Sequence, residues 1–320
     1  MKINVLVLDG AFETGLATVL DAFAIATDLA PMLAGESPRF EVAMIGTRRH
    51  VRTALGLSVP VQSVGAREAP DCVIVPAIGC KMPAPLERAL TRPDVRDGLA
   101  ALRAWGNRGA SLAAACVGTF VLAEAGLLDG EEATTTWWLA PLFRQRYPDV
   151  KLDESRMVVR SGTKVTAGAA LSHIDLALAL IRQTSPELAS LVAKYLVIDS
   201  RPSQSAYAIS DHLIHADPLV ERFERWARGR IDRGFSLEEA AGALATSKRT
   251  LARRLKDTLG KTPLSYFQDL RVERAVHLLK TTDHNVERIA AMVGYADGVT
   301  LRTLLRRRLG RGVRELRAND

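Results

Sequence analysis

One cysteine stands where a nucleophile would. The stretch SLAAACVGTFVLAEAGLLDG (111–130) runs small residues into Cys116 and begins a helix at once. A strand that turns sharply into a helix presents a side chain at the carboxyl edge of a sheet, and the helix N-terminus lowers a thiol's pKa. The pattern leaves three roles open for Cys116: a reactive thiol, a marker of a ligand pocket, or a small residue packed at a tight turn. Turnover further needs a base within hydrogen-bond reach and a group that orients it. The histidines are His50, His173, His212, His215, His277 and His284. Only His173 falls near the expected carboxyl edge. With Asp175 it lies inside an apolar helix, where it is either a satisfied helix histidine or a base.

A second chemistry lies in the charge. Residues 221–320 hold 22 Lys+Arg against 13 Asp+Glu, a net +9 within a chain of +7, so the other 220 residues sum to −2. A near-neutral body with a basic tail predicts that the tail meets a polyanion. The tail carries one device twice. SLEEAAGALATSKRTLARRLKDTLG (236–260) reads as helix, tight turn, helix, with Ser236 and Glu239 as a capping box and Ser247 as the second N-cap. Lys248, Arg249, Thr250, Ala252, Arg253, Arg254 and Lys256 lie off its apolar face. NVERIAAMVGYADGVTLRTLLRRRLG (285–310) repeats the plan, with Asn285 as N-cap and Val299, Thr300, Arg302, Thr303, Arg306 and Arg307 facing outward. PLSYFQDLRVERAVHLLK (263–280) is a long amphipathic spacer between them. Two recognition helices on a stiff spacer fit successive major grooves of double-stranded DNA.

The elements that must position Cys116 alternate. INVLVL (3–8), FEVAMIG (40–46), DCVIVPAIG (71–79), ASLAAAC (110–116) and KVTAGAA (164–170) read as buried strands. Residues 15–30, 95–109 and 171–183 read as helices. The alternation predicts an α/β fold with a doubly wound, mostly parallel sheet, followed by an all-α domain with two helix-turn-helix units. Ligands of such sheets sit at the strands' carboxyl ends, where Cys116 falls. The expected division is 1–205 for the α/β domain, 206–220 for a linker and 221–320 for the DNA-binding domain. Charged residues interrupt every apolar run, so no membrane span is expected. Cys72, Cys80 and Cys116 form no CxxC, so neither a disulfide framework nor a metal site is expected, and a reducing cytoplasm is the simplest compartment.

These motifs carry two resemblances. LATSKRTLARRLKDTLGKTPLSYFQDLRVERAVHLL and IAAMVGYADGVTLRTLLRRRLGRGVREL resemble the AraC family of bacterial transcription regulators over about 233–317. The end departs from that pattern: Leu304 and Leu305 stand where an aromatic residue is usual, and Gly312-Val313 and Leu316-Arg317 replace the usual Gly-x-Pro and Tyr-Arg. AAACVGTFVLAEAGLLDG, VLDAF, DCVIVPAIG and TAGAALSHIDLALALI resemble the ThiJ/PfpI branch of the class I glutamine amidotransferase-like fold. Their fusion is the plan of the GlxA-like regulators. Catalytic relatives keep a histidine beside the cysteine or about twenty residues on, and an acid near the first strand. Here Val117, Thr136 and Gly15 occupy those places.

The resemblance implies a cytoplasmic, homodimeric regulator that is not an enzyme and needs no cofactor, with RNA polymerase as a further partner. A small-molecule effector, an amino acid or amine, would bind among Glu13, Ala77, Ile78, Gly79, Cys116, Val117, Thr136 and Trp137, with Trp138 beside them. Trp137 and Trp138 are equally readable as core. The rival reading is a ThiJ/PfpI-type cysteine enzyme, an amidase or glyoxalase-like hydratase, that also binds DNA. In that segment's usual Arg…Gly-Gly-Gln pattern this chain has Arg201, Pro202-Ser203 and Gln204, read as a structural joint between domains.

Overall fold

The computed structural model describes residues 1–33, 38–64, 70–199, 201, 203–204, 217–310 and 312–317. The chain divides into two compact units, Met1–Gln204 and Ser205–Asp320. Most of the segment expected as a linker, and with it His212 and His215, lies outside the described residues. Residues 217–220 are described: Asp217 caps, and Pro218 opens, the first helix of the second unit.

The first unit is built on a seven-stranded sheet. Its strands are β1 (Lys2–Leu6), β2 (Glu41–Gly46), β5 (Gln62–Ser63), β6 (Cys72–Val75), β7 (Ser111–Ala115), β10 (Val158–Ser161) and β11 (Lys164–Ala167), in the order β10-β11-β7-β6-β1-β2-β5. All neighbours are parallel except β10 and β11, which form an antiparallel edge. Small pairs β3 (His50–Arg52) with β4 (Ser58–Pro60), and β8 (Glu132–Ala133) with β9 (Lys151–Leu152), lie outside it. The helices are α1 (Glu13–Leu29), α2 (Pro83–Leu90), α3 (Pro93–Asn107), α4 (Gly118–Glu124), α5 (Ala140–Arg146), α6 (Ser172–Thr184) and α7 (Pro186–Tyr195).

Strand alternation sorts these into three layers. Leu6, Val73, Val75, Leu112 and Ala114 point to one core, shared with α2, α3, α4 and α5. Ile3, Val5, Cys72, Ile74, Ala113 and Ala115 point to the other, shared with α1, α6 and α7. Both faces are covered, which is why the strands read as continuous apolar runs. The stretch Glu13–Met32 has the length and mean hydropathy (1.3) of a bilayer span, contrary to the expectation that no run does. Its Leu16, Val19, Phe23 and Ala26 face is buried in the second of these cores.

The second unit is helical throughout its described residues: α8 (Pro218–Arg228), α9 (Leu237–Ala243), α10 (Lys248–Leu259), α11 (Pro263–Thr281), α12 (Val286–Met292), α13 (Gly298–Leu309) and α14 (Val313–Arg317). It has two separate cores. Tyr266, Phe267 and Leu270 of α11 enter the one with α8, α9 and α10. Val272, Ala275, Leu278 and Leu279 enter the other with α12, α13 and α14. The spacer helix is thus a wall of both. Where the aromatic residue is usual, Leu305 is fully buried, and Leu316 closes the same core from α14.

Candidate functional site

The turn after β7 is tight. Cys116 holds φ at +54°, a left-handed value that costs a non-glycine residue about 1–2 kcal/mol. Gly118 follows because nothing larger fits: a Cβ there would lie 2.2 Å from the Val75 carbonyl oxygen. The Cys116 amide donates to the Ala167 carbonyl at 2.9 Å, and the Thr135 hydroxyl donates to the Cys116 carbonyl at 2.7 Å. The elbow is therefore gripped from both peptide sides.

The thiol itself is buried, and burial pushes it up to about 12, against weaker opposing effects of the Val117 amide and the Thr136 hydroxyl. The acidic thiol expected from a helix N-terminus is not what the fold makes, because desolvation outweighs the helix end. Thr136 is fully buried, with its hydroxyl beside the thiol.

His173 is no base for this thiol. Its Nε2 accepts the Ala77 amide at 3.1 Å, and its Nδ1 donates to the Ala170 carbonyl at 2.6 Å. Both nitrogens are spent on backbone, and burial pushes the imidazole down to about 4. The ring fills the space over Gly15, where a Cβ would come within 2.6 Å of Nε2. Asp175 belongs to a different contact, an ion pair with Arg201 at 2.5 Å, and burial raises its carboxyl despite the guanidinium.

The other expected lining residues divide. Ala77, Ile78, Cys116 and Val117 share one core, with Trp138 packed against it. Trp137 is buried and stands edge-on to Trp138 at 5.3 Å. Glu13 is committed elsewhere. Its carboxylate accepts the Leu55 amide at 2.5 Å; burial acts to raise its pKa, but bonds from Thr53 and Leu55 hold it below the usual range. Those residues lie in the turn of the β3–β4 hairpin. Gly79 lets the hairpin approach, since a Cβ there would lie 2.4 Å from that of Ala54. Sequence reasoning passed over this hairpin, whose strands are too short for a periodic signal.

The second unit presents its expected residues outward. Both helix pairs use one turn: Ala245 at φ +52° and Gly294 at φ +77° stand at matching places. Ser247 and Asp297 cap the following helices by accepting the amides of Thr250 and Thr300. Ser236 and Asn285 cap the preceding ones. Glu239 pairs with Arg230 at 3.5 Å. On α10, Lys248, Arg249, Arg253, Arg254 and Lys256 are exposed and Thr250 and Ala252 half-buried; on α13, Val299, Thr300, Arg302, Thr303, Arg306 and Arg307 are exposed. Lys248 pairs with Glu238, Arg254 with Asp217, and Arg302 with Glu287. Arg249, Arg253, Arg306 and Arg307 have no ion pair among the described residues. Arg271 joins the two halves: it donates to the Ile231 and Arg233 carbonyls, and its guanidinium lies 4.8 Å from the ring centre of Phe267 and 5.1 Å from that of Tyr295.

Comparison with known proteins agrees with this geometry. The helix-turn-helix domain model matches residues 240–319. GbdR, an HTH-type transcriptional regulator of Pseudomonas aeruginosa, is 26% identical over 301 residues, 92% of this chain and 78% of that protein. ArgR, an HTH-type transcriptional regulator of the same species, is 27% identical over 202 residues, 62% of this chain. The chain spans only 61% of ArgR's length. A ThiJ/PfpI family protein from Pseudomonas syringae shares the fold, with TM-score 0.53 and 19% identity over 70% of this chain and 86% of that one. The DJ-1/PfpI family model matches residues 1–183 of the 320, and the chain belongs to that family, with a helix-turn-helix domain on its C-terminal side.

Proposed function

We propose that this protein is a transcription regulator: α10 and α13 read double-stranded promoter DNA, and the first unit holds a small-molecule effector at the Cys116 elbow without turning it over. The observation that carries the reading is the duplicated turn and cap in the second unit, each followed by a helix that points two arginines outward, Arg249 and Arg253 on one and Arg306 and Arg307 on the other, with no ion pair among the described residues. The printed names of GbdR and ArgR, both HTH-type transcriptional regulators, support it. Within the first unit, a protonated, buried thiol with no free base beside it among the described residues favours binding over catalysis. The elbow offers an effector the thiol and the Thr136 hydroxyl, with Ala77, Ile78, Val117 and Trp137 around them. A cytoplasmic homodimer joined through the first unit, and contact with RNA polymerase at the promoter, belong to the same proposal.

The test is enrichment of random double-stranded DNA on the full-length protein. A recurring two-part site is expected, bound with an affinity that falls steeply with salt as phosphate-bound counterions are released. Recovery of unenriched sequence would refute DNA reading. Steady-state amide hydrolysis or methylglyoxal hydration that disappears in Cys116→Ala would refute the non-catalytic elbow.

A further inference from the structure

The first unit's last described residues are wired to its elbow. Gln204 ends that unit, and it is buried to 1% exposure. Its main-chain amide donates to the Ser155 carbonyl at 2.9 Å. Its side-chain Oε1 accepts the Ala169 amide at 2.9 Å, and its Nε2 donates to the Thr135 carbonyl at 2.9 Å and the Thr134 hydroxyl at 3.3 Å. The amide has one sensible orientation, since its oxygen faces a donor and its nitrogen faces oxygens. Gly168 makes room for it: a Cβ there would lie 2.4 Å from Oε1.

These bonds close a ring. The Cys116 amide reaches Ala167. Two residues on, the Ala169 amide reaches Gln204. Gln204 reaches the Thr135 carbonyl, and the Thr135 hydroxyl returns to the Cys116 carbonyl. Every link is buried or half-buried, and the elbow residue sits at a strained φ. A shift of the Cys116 backbone therefore cannot be absorbed by water. It must move Thr135 or Ala167, and each leads to Gln204. Arg201, clamped to Asp175 and the Leu171 carbonyl, fixes the chain three residues earlier.

We propose that Gln204 is a positioning residue that carries the state of the Cys116 elbow into the chain leading to the DNA-binding unit. The inference rests on the sensor reading above. It separates from a plug that merely fills a cavity, because a plug stabilises the domain without making DNA affinity depend on Cys116.

The experiment is a set of double-mutant cycles on the full-length protein, read as affinity for an enriched DNA site at fixed salt. Cys116→Trp imitates an occupied elbow, and Cys116→Met replaces it should the larger side chain prevent folding. With Gln204 native, the Cys116 substitution shifts DNA affinity about fivefold or more, the lower end of ordinary allosteric coupling. In Gln204→Met, and independently in Thr135→Val, the same substitution shifts it less than about twofold, while Thr135→Ser, which keeps the hydroxyl, retains the full shift. A shift undiminished in both Gln204→Met and Thr135→Val overturns the role of Gln204 and leaves the sensor reading standing. No shift with Gln204 native overturns the sensor reading itself. Thermal melting of each variant confirms that the folded protein is being compared.

Discussion

His173 makes the first unit sensitive to acid in a way that can be isolated. Its folded pKa is about 4 against an ordinary 6.5. The depression comes from burial, with the Ala170 bond opposing it, and Nε2 stays unprotonated to receive the Ala77 amide. The unfolded chain therefore takes up a proton near pH 6.5 that the folded chain refuses until about pH 4. Stability from this group is complete above pH 6.5 and is lost as pH falls toward 4. Between pH 8 and pH 5 the unfolded state gains about 1.5 decades of proton binding over the folded state, a loss of about 2 kcal/mol. The perturbation is His173→Gln, which cannot titrate and can still accept the Ala77 amide. Urea unfolding is followed by tryptophan fluorescence in a full-length Trp226→Phe background, so that Trp105, Trp137 and Trp138 report the first unit. The parent loses about 2 kcal/mol more than His173→Gln over that range, because carboxylates common to both cancel in the difference. Equal losses would mean that His173 is charged when folded, and its placement as a neutral strut between α6 and the end of β6 would be wrong.

Gly118→Ala pushes a methyl onto the Val75 carbonyl and lowers first-unit stability by about 3 kcal/mol or more, measured by the same urea unfolding; a loss under about 1 kcal/mol would deny the tight elbow. Ala245→Gly relieves a positive φ and raises second-unit stability by about 0.5–1 kcal/mol, seen as a higher Tm of the Trp226-reporting transition. Arg253→Ala costs about 1–3 kcal/mol at particular base positions of the enriched site, whereas Arg306→Ala weakens all sequences alike and reduces the salt slope by about one. Uniform weakening by Arg253→Ala in a competition-binding assay would make Arg253 a phosphate contact.

The parts legible in the sequence were those whose signal is local. The strands at 3–8, 71–79 and 110–116 show as apolar runs because both sheet faces are covered, and the helix pairs show through Ser236, Ser247 and Asn285, whose caps are made within three residues. What escaped depends on partners far along the chain. Glu13 reads as a pocket carboxylate until the Leu55 amide, 42 residues on, is seen to hold it. The thiol reads as acidic from its helix end, but burial raises its pKa against the Val117 amide and the Thr136 hydroxyl, and burial has no local signature. Gln204 reads as part of a polar joint, and its bonds to Ala169 and Thr135 span 35 and 69 residues. A sharper rule follows for this architecture. The elbow's glycine and cysteine mark where a site is, whereas whether it reacts or reports is decided by the loops that close on it. Here the side chains around the elbow bond to backbone: His173 to Ala77 and Ala170, Thr135 to Cys116, and Gln204 to Ala169 and Thr135, with the Thr134 hydroxyl besides. A side chain whose polar atoms are spent on main chain holds that main chain in place, and the proposed role of Gln204 rests on such bonds. The same bonds are what the proposed sensing role requires of the elbow.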